Sequence, residues 1–226
     1  MGGARSVGAV RRVAQFNASL PVDRCACSIA GMSHAPQTAP VAPMQVRPAH
    51  LPYVSALDAR PLDQIDLVVI HCTELPDLAT AREFGETVRY TAGTGNSGHW
   101  YIDRDGTIQE WVPPERIAHQ VRGWNPRSVG IELVNIGRYP HWLHAGHQAM
   151  DVPYPEAQIA ALVALLRDLQ TRLPALRFIA GHEDLDTEQV PAEDVPGALV
   201  ARKRDPGPLF PWDVVLTQVG LERLIP

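Results

Sequence analysis

Nine histidines occur in the 226-residue chain, and two of them follow apolar runs of strand character. His71 comes directly after Val68-Val69-Ile70, and His182 comes after Phe178-Ile179-Ala180-Gly181. Residues at strand ends on a sheet rim are held rigidly, as a metal centre requires. Two imidazoles with one carboxylate, the fourth position left to water, make the donor set of a catalytic zinc ion. The two histidines lie far apart in sequence and no HExxH-type motif joins them, so spacing alone neither assembles the site nor selects its carboxylate. The other histidines have plainer readings. His34 and His50 fall in a Pro/Ala-rich stretch, and His99 sits beside Trp100 and Tyr101 in a packing context. His141, His144 and His147 recur every third residue around Trp142, but no regular element flanks them to hold three rings.

A second signal is compositional. The chain carries 20 basic side chains, and every one is arginine except Lys203. Codon bias accounts for the arginines but not for the exception. Arg and Lys exchange freely on a surface, yet not where a compact ammonium is needed. On composition alone, accident and chemical need both stay open.

These residues need elements to position them. Leu67 to Ile70 reads as a buried strand, and Thr80 to Arg89 as a helix weakened by Gly85. His99 to Val112 reads as a hairpin around Asp105-Gly106. In the strand Ser128 to Val134, Val129, Ile131 and Leu133 share one face and Glu132 takes the other. Pro155 to Arg172 has the strongest helical stripe (Ile159, Leu162, Val163, Leu166, Leu169) and stops at Pro174. A strand from Arg177 to Ala180 then delivers His182, and an acidic, irregular stretch from Glu183 to Ala201 follows. Strands alternating with helices predict an α/β domain, a central mixed β-sheet flanked by helices.

Composition narrows the function classes. A net charge of −5 and a pI near 6.0 argue against bulk electrostatic binding of nucleic acid. No apolar run is long enough to span a bilayer, and three cysteines do not make a disulfide framework. Residues 1–50 contain scattered arginines, no secretory signal core and then a run of prolines and alanines. They are expected to be a disordered extension and linker ahead of a domain at residues 51–226, and the missing signal predicts a cytoplasmic protein, or a periplasmic or envelope one if the true start lies elsewhere.

Four motifs occur in order: Val68-Val69-Ile70-His71, Ser128 through Asn135 (SVGIELVN), Gly181-His182-Glu183-Asp184, and Lys203 through Trp212 (KRDPGPLFPW). Together with the Tyr101–Ile108 hairpin they resemble the zinc-dependent N-acetylmuramoyl-L-alanine amidases, the type 2 amidase family related to peptidoglycan recognition proteins. The resemblance implies that fold, one Zn²⁺ held by His71, His182 and Asp205, and catalysis by Glu132 and Lys203. It also supplies a reason for the solitary lysine. The implied reaction is hydrolysis of the amide between N-acetylmuramic acid and L-alanine in peptidoglycan or muropeptides. The pattern is broken in two places. A longer stretch than usual separates His182 from Asp205, which reads as an inserted loop near 187–200, and Ala118-His119-Gln120-Val121 stands where the family often has Trp-His-Ala-Gly. His119 and Trp124 are therefore the expected substrate-facing residues on an altered wall, packing being the other reading of His119. The rival functions are a catalytically silent peptidoglycan-binding module, although all five site residues are kept, and a zinc peptidase cutting inside the stem peptide.

Overall fold

The computed structural model describes residues 44–226; the expected extension up to residue 43 lies outside the described residues. Strands β1 (Val46–Pro48), β2 (Leu67–Cys72), β3 (Trp100–Ile102), β4 (Ile108–Glu110), β5 (Ser128–Leu133), β6 (Phe178–Gly181) and β9 (Glu222–Arg223) form one sheet. Its order is β1-β4-β3-β5-β2-β6-β9. All neighbours are parallel except the β3–β4 hairpin, so the sheet is mixed, as expected. β7 (Gln189–Pro191) and β8 (Leu199–Ala201) pair separately as an antiparallel ribbon.

β2 is central and all six of its residues are buried, which explains why it reads as an unbroken apolar run rather than an alternating one. Alternation nevertheless divides its side chains. Val68 and Ile70 join the main core with Val129, Ile131 and Leu133 of β5, beneath helix α2 (Glu156–Arg172) with its Leu162, Leu165, Leu166 and Leu169. Leu67 and Val69 pack on the other side with Val121 and Ala180. His71 belongs to this second face, away from α2, and so does Glu132 by the same count along β5. The register sets His71 directly beside Glu132. The sheet thus presents both residues at the same level, at the ends of adjacent parallel strands.

Helix α1 (Leu78–Glu86) starts and stops earlier than its periodicity predicts. The cause at its N-terminus is local: the Asp77 carboxylate accepts from Thr80 N at 2.7 Å, a capping bond. Gly85 is needed where α1 lies against Trp111, because a Cβ there would stand 3.0 Å from the indole. Two other segments differ from expectation. The sheet takes in Val46–Pro48, inside the segment expected to be linker, by parallel pairing with β4. The 187–200 stretch, expected as an irregular loop, contains β7 and runs into β8.

Candidate metal centre

Three chain segments converge on the face opposite α2. His71 comes from the end of β2, and His182 is the first residue of the short helix α3 (His182–Leu185), entered directly from β6. Asp205 arrives on the segment after β8. Gly181 permits this convergence: a Cβ there would sit 2.9 Å from Pro206 Cδ, so a side chain would push the Asp205-Pro206 segment off the sheet. The Asp205 carbonyl accepts from Glu183 N at 2.9 Å, and Tyr154 donates its hydroxyl to the Pro206 carbonyl at 2.7 Å. Asp205 is therefore anchored on both sides.

One oxygen of Asp205, Oδ2, lies 2.9 Å from His71 Nδ1 and 3.1 Å from His182 Nδ1. The imidazoles meet edge to face with centroids 4.6 Å apart. One donor atom from each of the three residues lies within 4.8 Å of the others, and all three residues are buried. Among the described residues no other His, Cys, Asp or Glu group converges in this way. His182 Nε2 and Asp205 Oδ1 are buried with no hydrogen-bond partner. Orphaned polar atoms of this kind need an explanation, and two nitrogens and a carboxylate are the donors a divalent cation of borderline softness takes. The residues fit a metal.

The charges around the centre are strongly coupled. Burial would lift the Asp205 carboxyl, but the His182 and His71 imidazoles hold it well below its ordinary range. Burial pushes His182 down to about 4, with Asp205 opposing. Burial also works against protonated His71, yet Glu132 and Asp205 together hold it above its ordinary value. Glu132 is raised by burial first, against the pull of His71 and Lys203. A carboxyl lifted in this way accepts a proton more readily at neutral pH than a solvated one.

Lys203 and Glu132 line the same groove as the three donors, a cavity of about 650 Å³. The segment leading to Lys203 is held from below by Arg138, which is only 1% exposed. Its guanidinium donates to Ala201 O at 2.8 Å and grips Glu74 through both oxygens at 2.6 and 2.9 Å. His119 lines the groove too, its ring 4.9 Å from Tyr90. Trp124, expected on the substrate-facing wall, does not line it. It packs beside the small cluster around Val121, with the Arg127 guanidinium over its ring. His141 and His144 stack at 4.3 Å outside any convergent donor group. His99 is spent internally, near Arg60 at 2.9 Å and accepting from Gly130 N at 3.0 Å. Sequence reasoning passed over Arg138, Tyr154 and Gln120, and only Gln120 carried a signal, as a departure from the motif.

Residues 61–208 match the family profile described as N-acetylmuramoyl-L-alanine amidase. The chain belongs to this amidase family. Among the amidases it resembles is N-acetylmuramoyl-L-alanine amidase AmiD of Escherichia coli K12, 27% identical over 171 residues that cover 69% of this chain and 53% of AmiD. The 1,6-anhydro-N-acetylmuramyl-L-alanine amidase AmpD of Citrobacter freundii is 30% identical over 178 residues, 69% of this chain and 81% of that protein. The chain spans about half the length of AmiD and of the AmpD of Enterobacter cloacae, which it also matches. A structure of AmiD in complex with the substrate anhydro-N-acetylmuramic acid-L-Ala-D-γ-Glu-L-Lys superposes with a TM-score of 0.53 at 26% identity, covering 72% of this chain and 59% of AmiD. The amidase LysC of Clostridium intestinale URNW superposes at 0.57 over 79% of this chain and 99% of its own. At 18% identity that likeness shows the fold. No helix among the described residues is long and apolar enough to cross a membrane.

Proposed function

We propose that this chain is a zinc-dependent amidase that hydrolyses the bond between the lactyl carbonyl of N-acetylmuramic acid and the L-alanine of the stem peptide, in peptidoglycan or in muropeptides released from it. The observation that carries the proposal is the convergence of His71, His182 and Asp205 at the floor of a groove that also holds Glu132 and Lys203, in a chain of this family. Bound there by those three side chains, zinc would supply Lewis acidity and lower the pKa of a water from its bulk value to about 7.

The chain's own residues supply the rest. Glu132 takes a proton from the attacking water and returns it to the leaving nitrogen as the C–N bond breaks. One water is consumed, and the products are a lactyl carboxylate and a free alanyl amine. The Lys203 ammonium faces the carbonyl oxygen as negative charge gathers on it, a role in which one well-placed donor is worth about 10²–10³ in rate. His71, His182 and Asp205 are buried, so solvent screens the charges at the centre less than it would on the surface.

The test is a digest of purified muropeptides with and without chelator, read by mass spectrometry. Release of intact stem peptide beginning at L-alanine, abolished by chelator and restored by zinc, is expected. Binding without cleavage would make the chain a recognition module, and cuts inside the stem peptide would make it a peptidase. Either result overturns the proposal.

A further inference from the structure

His71 has a second partner that the amidase chemistry leaves unexplained. Its Nε2 lies 2.8 Å from Gln120 Oε1, and Gln120 occupies the stretch that departs from the family's motif. The hydrogen bonds beyond it settle which way the amide points. Ser128 has one hydroxyl proton and donates it to the Trp124 carbonyl at 2.9 Å, which can only accept. Ser128 Oγ must therefore accept from Gln120, whose Nε2 is 3.0 Å away. With its amino group committed to Ser128, Gln120 presents its oxygen to His71, so His71 carries the proton on Nε2. The opposite nitrogen, Nδ1, is the one that faces Asp205.

The amide is held firmly at both ends. Asn125 Oδ1 accepts from the backbone of Gln120 at 3.1 Å and of Val121 at 2.8 Å, closing the turn that carries the side chain. Gly130 on β5 is what leaves room for it: a Cβ at that position would come 2.1 Å from Gln120 Oε1. Resting on the zinc reading above, we propose that Gln120 is a positioning residue that fixes the tautomer and ring orientation of His71, aiming Nδ1 into the metal centre. Ser128 and the Trp124 carbonyl act as its backstop. Metal-bound histidines generally give their other N–H to such an acceptor, and losing it costs about 10–100-fold in metal affinity.

The experiment compares the full chain with Gln120→Met, which keeps the length and removes the acceptor, and Gln120→Glu, which keeps an acceptor oxygen. Zinc affinity is read by competition with a chromophoric chelator, and the His71 ring nitrogens by ¹⁵N NMR with and without zinc. Gln120→Met should weaken zinc about 10–100-fold and lose the slowly exchanging His71 Nε2–H signal. Gln120→Glu should stay within a few-fold of wild type. Unchanged affinity in Gln120→Met with the Nε2–H signal retained would overturn the assignment, and so would equal losses in both variants. Should the wild type bind no zinc, the amidase reading fails. The metal-free spectra then decide the Gln120 assignment: it stands if the Nε2–H signal is present in wild type and lost in Gln120→Met, and falls otherwise.

Discussion

Replacing Arg138 by Met tests whether the Lys203 segment is held by a buried charge pair. The guanidinium is 1% exposed and Glu74 6% exposed, and they share two hydrogen bonds at 2.6 and 2.9 Å. Arg138→Met leaves the Glu74 carboxylate buried without its counter-charge, a change that costs about 3–5 kcal/mol. It also frees Ala201 O, whose bond to Arg138 is 2.8 Å, at a cost of about one further kcal/mol, that of a typical hydrogen bond. Removing both charges with Arg138→Met and Glu74→Met together should recover most of that loss, since swapping a whole buried pair for apolar groups is often near neutral. Urea unfolding of wild type, both single variants and the double variant gives the coupling energy directly. Stability and activity should then part company. The double variant regains stability but not full kcat, because the Ala201 carbonyl two residues before Lys203 still lacks its donor. A loss below about 1 kcal/mol in Arg138→Met would show the pair to be an unimportant contact. Full activity in the double variant would show that Lys203 is positioned without it.

Four further outcomes are expected. Glu132→Ala should retain bound zinc by metal analysis while losing most turnover; near-normal kcat would remove Glu132 from the mechanism. Lys203→Arg should fail nearly as badly as Lys203→Ala, chiefly in kcat, because the charge it meets develops only in the transition state; full rescue by Arg would reduce Lys203 to one more positive charge beside Arg202 and Arg204. Leu166→Ala, in the buried stripe of α2, should cost about 2–5 kcal/mol in urea unfolding and leave zinc affinity unchanged. Burial, with Arg60 adding to it, holds His99 well below its ordinary value, so the folded chain keeps that ring neutral while the unfolded chain takes up a proton below about 6.5. Its contribution to stability is present above that pH and lost as pH falls through it, and His99→Gln should flatten the dependence in unfolding curves recorded between pH 7 and 5.

The elements that read most clearly were those whose burial is repeated along the chain. α2 has a stripe of leucines recurring at helical spacing, β2 is apolar from Leu67 to Ile70 because it is buried on both faces, and β5 alternates, with Val129, Ile131 and Leu133 turned to the core. Glu132 was placed correctly on its face because alternation along a strand is strict. β1 reads as linker in the sequence because an edge strand of three residues buries little and need not show its pairing in composition. Trp124 shows a different limit. Its ring direction depends on the short 3₁₀ turn at Asn125–Arg127 and on Arg127 lying over it, and neither is written in the identity of a tryptophan. Arg138 looked like any of the surface arginines, since its partner Glu74 is far off in sequence. The donors themselves were individually visible as strand-end histidines. Their convergence with Asp205 depended on Gly181 and on a segment whose path no local pattern describes.

His71 and Asp205 stand 134 positions apart and come from the middle of the sheet and the last third of the chain. An ion shared between them and His182 would be a clasp as well as a reagent, closing most of the domain into a ring. Ligands that bind only the native chain add their binding free energy to its stability, and metal sites of this kind do so strongly. The loaded protein should then be harder to unfold and harder to digest than the same protein after chelation. On the amidase reading proposed above, scarcity of one trace element would set the protein's lifetime as well as its rate.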